Sequence, residues 1–563
     1  MDDVDAVQAQ IARNMLASGD WVTARLDGVA YLEKSPLVYW VMAVSYGVFG
    51  VHDWAARLPL ALAVVLLCWV TYRFGCWAFH DEAGLYGGIA LATSVGLFLF
   101  TRILIPDAML ALAITGAIWA WLRLLEPECG GALRWSVVLG ACLGIGLLLK
   151  GLIALVFPIG AGLAYLAVTR QMNSADTWRR LHLGIAAAVT LVIAAPWHVL
   201  ATLRNPPYFA FSMHSGPREY HGFFWFYFIN EHLLRFLNLR YPRDYNTVPR
   251  LWFWLLNLVW IFPWSAYLLG SMTLPFQGHS RAGRVRLMLL CWIGTVMLFF
   301  TFSTTQEYYS MPIYPAVALL VGSALSTRNR WVPIGTKALL ALFSLLSIAL
   351  LVILLLVWRQ PALGNIAGAL TQHSELYTLS LGHIRDLTLH AFAYLKAPLG
   401  LAAFAFGAGA LGLWASRNVR RTVLVVAASM ILFFHAARIA LVRFQDYLGS
   451  YPLAESLQQD PPGQLIEDDA YYAFSSVFFY TGRSALLLNG RENNLEYGSY
   501  ATGAPNVFID DARFVSLWNE PARYYLLTYG TDLPRLKELV GRASLRVVKK
   551  NADNYLLTNH PLP

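Results

Sequence analysis

The sequence predicts a multi-pass all-α membrane domain followed by a small α/β domain. Three observations carry that expectation. Hydrophobic residues make up 57% of the 563-residue chain against 13% charged residues, apolar runs long enough to cross a bilayer recur along it, and the composition turns polar after residue 437. Soluble domains carry about 25% charged residues, so this balance excludes an ordinary soluble enzyme, and the mean hydropathy of +0.50 agrees. The formal charge of +9, from 42 Lys+Arg against 33 Asp+Glu, does not point to nucleic acid, because the basic residues are scattered between apolar runs and form no single track. The five cysteines, Cys68, Cys76, Cys129, Cys142 and Cys291, follow neither a disulfide nor a zinc pattern.

A hydrocarbon core needs roughly 20 apolar helical residues per crossing. Runs of that kind fall at 57–77, 84–102, 106–123, 133–149, 151–167, 183–199, 252–270, 286–302, 309–325, 336–357, 395–415 and 420–436, about twelve spans within residues 57–436. The segments between 84 and 167 are joined by very short turns, so one of them could be re-entrant or tilted. Basic clusters at Arg170–Arg180, Arg281–Arg286, Arg328–Lys337 and Arg417–Arg421 then fall on one side, which the positive-inside rule makes cytoplasmic. Residues 1–56, the loop 200–251, the turn 303–308, the segment 358–394 and residues 437–563 fall on the other side. An even count puts the first residues across the membrane with no span to deliver them, so a preceding transmembrane helix is expected to be missing from this sequence; a miscounted span is the alternative.

Within the first loop, residues 5–17 repeat apolar positions at helical spacing and read as an amphipathic helix at the membrane interface. Residues 38–50, with Tyr39, Trp40 and Tyr46, read as a second, and the aromatic run from Phe223 to Phe228 before Glu231 and His232 follows the same logic. After 437, short apolar runs at 465–466, 484–488, 507–509, 524–529, 544–548 and 555–558 read as strands, alternating with helices at 470–480, 512–519 and 533–540. That domain has no glycine-rich phosphate loop and one histidine, His560, so it is expected to cover the site and not to perform chemistry.

Ionisable groups at the outer membrane boundary usually pair or serve a site. Asp2, Asp3 and Asp5, then Glu33 and Lys34, then Arg102 with Asp107, form three such groups. Helix capping is the competing explanation for Asp3, Asp5 with Gln8, and Asp107 after Pro106. Lys34, Arg57, Arg102, Arg204, Arg218, Arg235, Arg240 and Arg243 all lie on the non-cytoplasmic side, against the positive-inside trend. Singly each could be a snorkelling surface charge; together they ask for an anionic partner, and a lipid phosphate fits. Carboxylates beside a phosphate clamp suit a reaction in which phosphate leaves while an aspartate orients an acceptor. Gln306, Glu307, Tyr308, Tyr309 and Tyr314 make a polar aromatic turn suited either to a sugar or to the membrane interface. His198, His214, His221 and His232 are not spaced as a zinc site, which leaves an oxygen-liganded divalent cation, or no metal, as the cofactor expectation.

The succession of the acidic cluster, Ile11 to Trp21, Gly28, Tyr31-Leu-Glu-Lys-Ser-Pro-Leu-Val-Tyr-Trp40 and Arg57-Leu-Pro59 resembles the opening of the bacterial aminoarabinose transferases, in the protein mannosyltransferase-like glycosyltransferase family 39 of GT-C type. Pro106-Asp107, Ala195-Pro196-Trp197, Glu231-His232 with Arg235-Phe236, Pro263-Trp264 and the Tyr-Tyr-Ser-Met-Pro turn extend the likeness, which covers residues 1 to about 320. It implies a thirteen-span bacterial inner-membrane enzyme of GT-C fold with a periplasmic active site. The implied reaction moves 4-amino-4-deoxy-L-arabinose from undecaprenyl phosphate to a lipid A phosphate, with inversion, which confers polymyxin resistance. The resemblance implies a catalytic aspartate in the first loop, Asp5 before Asp3, with Lys34 on the carrier phosphate and Asp107 in support. Glu33, Arg57, Arg102, Arg204, Arg218, Glu231, His232, Arg235, Gln306, Tyr308 and Tyr309 complete the candidate binding set. Two departures stand: the family's first-loop acid aligns with Val4, and its Gly-Lys-Leu-Pro stretch is replaced by Gln306-Glu307-Tyr308-Tyr309.

The partners implied are the undecaprenyl-phosphate-linked aminosugar, lipid A or another outer-leaflet acceptor, and the membrane, with no nucleic acid and a monomeric protein. The alternatives are a polyprenyl-phosphate-sugar transferase acting on another glycan or on protein and, behind it, a multi-pass transporter. A transporter would carry mid-span charges and matched broken halves.

Overall fold

The computed structural model describes residues 1–126, 130–243, 247–276, 280–327, 329–362, 366, 370 and 387–562. Cys129, Arg328 and most of the segment 358–394 lie outside them. Among the described residues, nine helices are long and apolar enough to cross a membrane. They are Asp53–Ala78, Asp107–Leu125, Ala132–Lys150, Ala175–Arg204, Arg281–Phe302, Glu307–Leu325, Trp331–Val357, Ala391–Trp414 and Val419–Arg443. The pair Arg250–Trp260 and Trp264–Met272, bent by 94°, makes a tenth if taken as one span. Their outer faces carry exposed Leu62, Val65, Trp69, Leu191, Val192, Leu345, Leu355 and Leu411, an apolar surface that only lipid suits.

All twelve apolar segments read from the sequence are helical, but three are not plain spans. Ile153–Val168 is a shorter apolar helix of 16 residues. The run 84–102 divides into Asp81–Ala92 and Val95–Phe100, and 252–270 bends between Trp260 and Trp264. The two interruptions face each other: Val95 N donates to Phe262 O at 3.0 Å, and Trp264 Nε1 donates to Thr93 Oγ1 at 3.0 Å. In a bilayer no water can satisfy backbone groups freed by a break, so each break supplies the other's partner. Apolar content carries no record of such a break.

Helices Asp53–Ala78 and Asp81–Ala92 fold back on one another with glycine at the crossing. A Cβ built on Gly84 would stand 2.5 Å from Cys76 N and 2.6 Å from Tyr72 O, so backbone touches backbone there. Small residues allow this close approach, which supplies the packing that drives helix association in lipid.

The helix Asp3–Ser18 departs from the expected place at the membrane interface. Its apolar stripe, Ala6, Val7, Ala9, Ile11, Ala12 and Met15, is buried against helix Leu37–Phe49 and the C-terminal helix Ser475–Thr481. The amphipathic pattern was the same for protein as for lipid, and protein covers it. Helix Leu37–Phe49 does keep Val44, Val48 and Phe49 exposed. The expected caps also shift: Asp2 is the N-cap, its Oδ1 accepting from Asp5 N at 2.8 Å, so neither Asp3 nor Asp5 serves as one.

The C-terminal residues form a six-stranded sheet in the order 508–509, 485–488, 464–468, 524–529, 554–558, 546–551. The first four run parallel, and 554–558 pairs antiparallel with both 524–529 and 546–551. Ile466, Leu488, Leu526 and Leu557 pack under helices Asp511–Trp518 and Leu533–Val540, while Leu465, Leu487, Leu527 and Leu556 join the core under Tyr451–Gln459 and Ser475–Thr481. Burial on both faces is why these strands read as continuous apolar runs.

Gly84→Ala forces the two helices apart and costs about 1–3 kcal/mol. A lowered thermal midpoint of the detergent-solubilised protein checks this, and an unchanged midpoint refutes the close crossing.

Candidate active site

Five structural pieces bring polar side chains to a cavity of about 360 Å3, within the size range of small-ligand sites. The segment after the short hairpin Arg25–Ala30 brings Glu33, Lys34 and Ser35; the turn before helix Asp107–Leu125 brings Pro106 and Asp107; the end of helix Ala132–Lys150 brings Lys150; and the π-helix Trp225–Leu234 brings Tyr227, Glu231 and His232, with Arg235 following. Tyr308 and Tyr309 close it from the turn Glu307–Ile313. Apart from Ser303 and Thr304 the remaining wall is apolar, with Val156, Phe228, Leu233, Phe236, Phe299 and Phe300 in it. Val156 and Leu233 are 39% and 45% exposed, so the apolar end reaches the lipid-facing surface.

The charged end is a network of buried ion pairs. Glu33 is contacted by Lys34, lies 3.8 Å from Arg235 and 3.7 Å from Arg240, and accepts from Tyr31 OH at 3.2 Å. Glu231 accepts from Arg235 at 2.7 Å and from Arg240. Burial would raise the Glu33 carboxyl, but Lys34, Arg240 and Arg235 outweigh it and hold it at about 2. Burial opposes the charge on Lys34, and Glu33 outweighs that in turn, so the ammonium titrates above its ordinary value. Both groups are therefore charged at neutral pH.

Asp107 stands across the cavity. Its Oδ1 accepts from Lys150 Nζ at 2.6 Å, and its Oδ2 is buried with no hydrogen-bond partner. Pro106 precedes a helix with no side-chain cap, so the capping explanation for Asp107 is not the one realised. A buried carboxylate oxygen left without a donor is rare in native proteins, and Asp107 is one of the residues that line the cavity. Lys150 also sits over the rings of Tyr308 and Tyr309, at 5.3 and 4.7 Å. Arg235 Nη2 donates to Tyr309 OH at 3.1 Å, tying the aromatic turn to the charged end.

His232 has both ring nitrogens committed to backbone. Nε2 accepts from Leu152 N at 3.0 Å, which leaves Nδ1 protonated and donating to Tyr227 O. Burial lowers its pKa below the ordinary value, so the ring is neutral. It holds the π-helix against the turn after Lys150, where Gly151 adopts φ +67° and any Cβ would lie 2.2 Å from His232 Nε2. Ser35 donates to Leu147 O at 3.1 Å and accepts from Tyr227, which seats the Lys34 segment on the same support.

Several expected residues are not in the cavity wall. Asp5 is fully buried one layer behind it: Oδ1 accepts from Leu104 N at 2.8 Å, three residues before Asp107, and Oδ2 pairs with Arg57, which also donates to Arg102 O. The Arg102 guanidinium lies 5.4 Å over the Phe98 ring. Asp3 turns to the C-terminal domain, accepting from Ser476 N at 2.8 Å and Ser450 Oγ at 3.1 Å. Arg204 pairs with Asp20 at 2.7 Å. Arg218 lines a separate groove with Arg491 and Arg513, and Gln306 precedes the Glu307–Ile313 turn outside the wall. Among the described residues no group of three or more His, Cys, Asp or Glu is placed to hold a metal ion.

Lys150 was missed from the sequence. Its signal was present: a lysine closing the apolar stretch Leu147-Leu148-Leu149 before glycine, read only as the end of a span. Arg240 stood in the basic set but not among the candidates, although it lies behind Glu33 and Glu231, 3% exposed.

The family described as dolichyl-phosphate-mannose-protein mannosyltransferase matches residues 33–199. The chain is 26% identical over 322 residues to the undecaprenyl phosphate-alpha-4-amino-4-deoxy-L-arabinose arabinosyl transferase of Photorhabdus laumondii, a stretch of 56% of this chain and 53% of that protein. The enzyme of the same name from Aeromonas salmonicida is 27% identical over 418 residues, 70% and 71% of the two chains. The matched stretch thus spans about half the length of the first of these relatives. The crystal structure of ArnT from Cupriavidus metallidurans bound to undecaprenyl phosphate superposes with a TM-score of 0.80 at 24% identity, covering 99% of this chain and 93% of that one. Its apo form gives 0.76 at 23%, with 100% and 93% covered. The chain is therefore a multi-pass membrane protein of GT-C fold with an α/β domain after the spans, and it closely resembles the bacterial aminoarabinose transferases.

Proposed function

We propose that this protein is an inverting glycosyltransferase of the bacterial inner membrane that takes 4-amino-4-deoxy-L-arabinose, or a related sugar, from undecaprenyl phosphate and transfers it to a lipid A phosphate at the periplasmic face. The observation that carries this reading is the two-ended cavity: Lys34, Lys150 and Arg235 at one end, and an apolar wall reaching the lipid-facing surface at the other. A phosphate carried on a hydrocarbon chain matches both ends. Lys34, Lys150 and Arg235 line the cavity beside Glu33, Asp107 and Glu231, with Arg240 behind them, and these cations are the groups that would meet a phosphodiester. The likeness to the aminoarabinose transferases supports the same chemistry.

In that reading the acceptor attacks the anomeric carbon from the face opposite the carrier, and the bond to the carrier phosphate breaks with its electrons on the phosphate oxygen. Lys34 and Arg235 stabilise the charge that develops there; such a donor is worth roughly 3 kcal/mol in a transition state. The unpartnered Oδ2 of Asp107 takes a hydrogen bond from the reacting acceptor or the sugar. Asp5 braces the turn that carries Asp107, which leaves Asp107 as the reacting-side carboxylate and Asp3 outside the reactive set. The α/β domain covers this end: Tyr472 donates to Tyr31, whose own proton goes to Glu33.

Transfer to another glycan or to protein stays as a second reading, because Tyr308 and Tyr309, from the turn that departs from the better-known relatives, line the cavity. The transporter reading has less support, since the two helix breaks satisfy each other and neither lines the cavity.

Radiolabelled sugar transfer from a defined polyprenyl phosphate donor, comparing lipid A with peptide acceptors in membranes, tests the proposal; no transfer to either acceptor refutes it. Lys34→Ala is expected to lower the rate by about 100-fold or more with the fold intact, and wild-type turnover would remove its role. Lys150→Ala strands the Asp107 carboxylate without its cation and lowers kcat by about tenfold or more, read in the same assay. The depressed Glu33 carboxyl stabilises the fold above its unfolded value of 4.5, and that contribution is lost as pH falls towards about 2. The gap in thermal midpoint between wild type and Glu33→Gln is therefore expected to be full at pH 6 and to shrink below pH 4.

A further inference from the structure

The acidic cluster at the start of the chain is divided between two tasks. Asp5 faces the membrane domain, where its carboxylate bridges Leu104 N and Arg57, on the turn that leads to Asp107. Asp3, two residues earlier, faces the opposite way. Its Oδ1 accepts from Ser476 N at 2.8 Å, its Oδ2 accepts from Ser450 Oγ at 3.1 Å, and Ser475 Oγ donates to its backbone oxygen. Every one of those partners belongs to the α/β domain. Further along the same N-terminal stretch, Arg13 donates to Phe479 O at 2.7 Å and Asp27 accepts from Ala485 N at 3.1 Å. The helix Asp3–Ser18 is therefore held from the outside by one domain and presents Asp5 to the other.

We infer that Asp3 is a positioning residue, through which Ser450, Ser475 and Ser476 of the α/β domain fix the helix that seats Asp5 behind the Asp107 turn. The inference rests on the reading of the cavity as a transferase site. The helix is also held by its apolar stripe against Ser475–Thr481, by the Met1 amine on Tyr480 OH at 2.6 Å, and by the Arg13 and Asp27 contacts, so losing the Asp3 hydrogen bonds loosens its first turn without releasing the helix, and a shift of Asp5 there relaxes the bond that orients residues 104–107. Asp3 acts by accepting hydrogen bonds, not by transferring a proton. Burial pushes its carboxyl up to about 7, against the hydrogen bonds from Ser476 and Ser450, so a neutral side chain of the same shape is tolerated. An amide oxygen accepts from Ser476 N as the carboxylate does, and its NH2 donates to Ser450 Oγ once that hydroxyl rotates.

The test compares Asp3→Ala with Asp3→Asn in the full-length, detergent-purified protein. Two quantities are read: kcat and KM for the polyprenyl-phosphate donor, and the rate of limited proteolysis between the last span and the α/β domain. Asp3→Ala is expected to lower kcat by about tenfold with donor KM within about twofold, since a displacement of about 1 Å at a site is this costly, and to be cleaved faster. Asp3→Asn is expected to keep at least half of wild-type kcat and wild-type cleavage. Asp3→Asn as inactive as Asp3→Ala would overturn the inference, because that is the behaviour of a reacting carboxylate; wild-type kcat in Asp3→Ala would overturn it as well. If Asp3→Ala does not purify, the double variant Ser450→Ala/Ser475→Ala removes partners from the other side, and wild-type kcat there overturns the inference equally. If wild type itself transfers nothing, the transferase reading fails separately, and the anchor is judged by proteolysis alone: equal cleavage of wild type and Asp3→Ala overturns it.

Discussion

A buried carboxylate as strongly ionised as Glu33 needs cations around it, and Glu33 sets the layout of this site on that account. Lys34 meets it from the same strand of chain, Arg235 and Arg240 from beyond the π-helix, and Tyr31 from beneath. Glu231 then balances the two arginines. The result is a set of cations kept charged by carboxylates that already hold them in place, so a phosphate arriving in the cavity meets donors that need little rearrangement. Removing any one member leaves another buried charge uncompensated, which costs more than the lost pair gained.

What was legible in the sequence depended on whether the signal was local. The apolar runs and the strands of the last domain are local, and each corresponds to a helix or strand of the structure. Lys34, Asp107, Glu231, Arg235 and the Tyr308-Tyr309 turn do meet at one cavity. Lys150 was hidden because a lysine at the end of an apolar run is ordinary, and only its approach to Asp107 from a different span gives it meaning. The separation of Asp3 from Asp5 was hidden for a related reason: adjacent acids in sequence carry no information about which neighbour each will face. Arg204 and Arg218 belong to the same limit, their position on the outer side saying nothing of Asp20 or of the groove by Arg491.

The helix Asp3–Ser18 illustrates a degeneracy in amphipathic patterns. A stripe of Ala, Val, Ile and Met suits the headgroup boundary and a protein groove equally well, and the presence of the α/β domain decides between them. That domain is tied to the rest of the molecule at two places. Through Tyr472 and Tyr31 it touches Glu33, and through the serines at 450, 475 and 476 it touches the start of the chain. Parts of the protein more than 400 residues apart, with separations of 441 and 473 in these contacts, are thereby made one unit.

The paired interruptions of two helices have a consequence for biogenesis. Thr93 and Trp264, whose side chains join the two breaks, are 171 residues apart in the chain. The earlier segment emerges from the ribosome with an exposed backbone break and waits for its complement through the synthesis of several intervening spans. Until then its polar groups must be satisfied by water or by the insertion machinery. The order of translation therefore imposes a late step in membrane assembly, the docking of 250–272 onto 81–100.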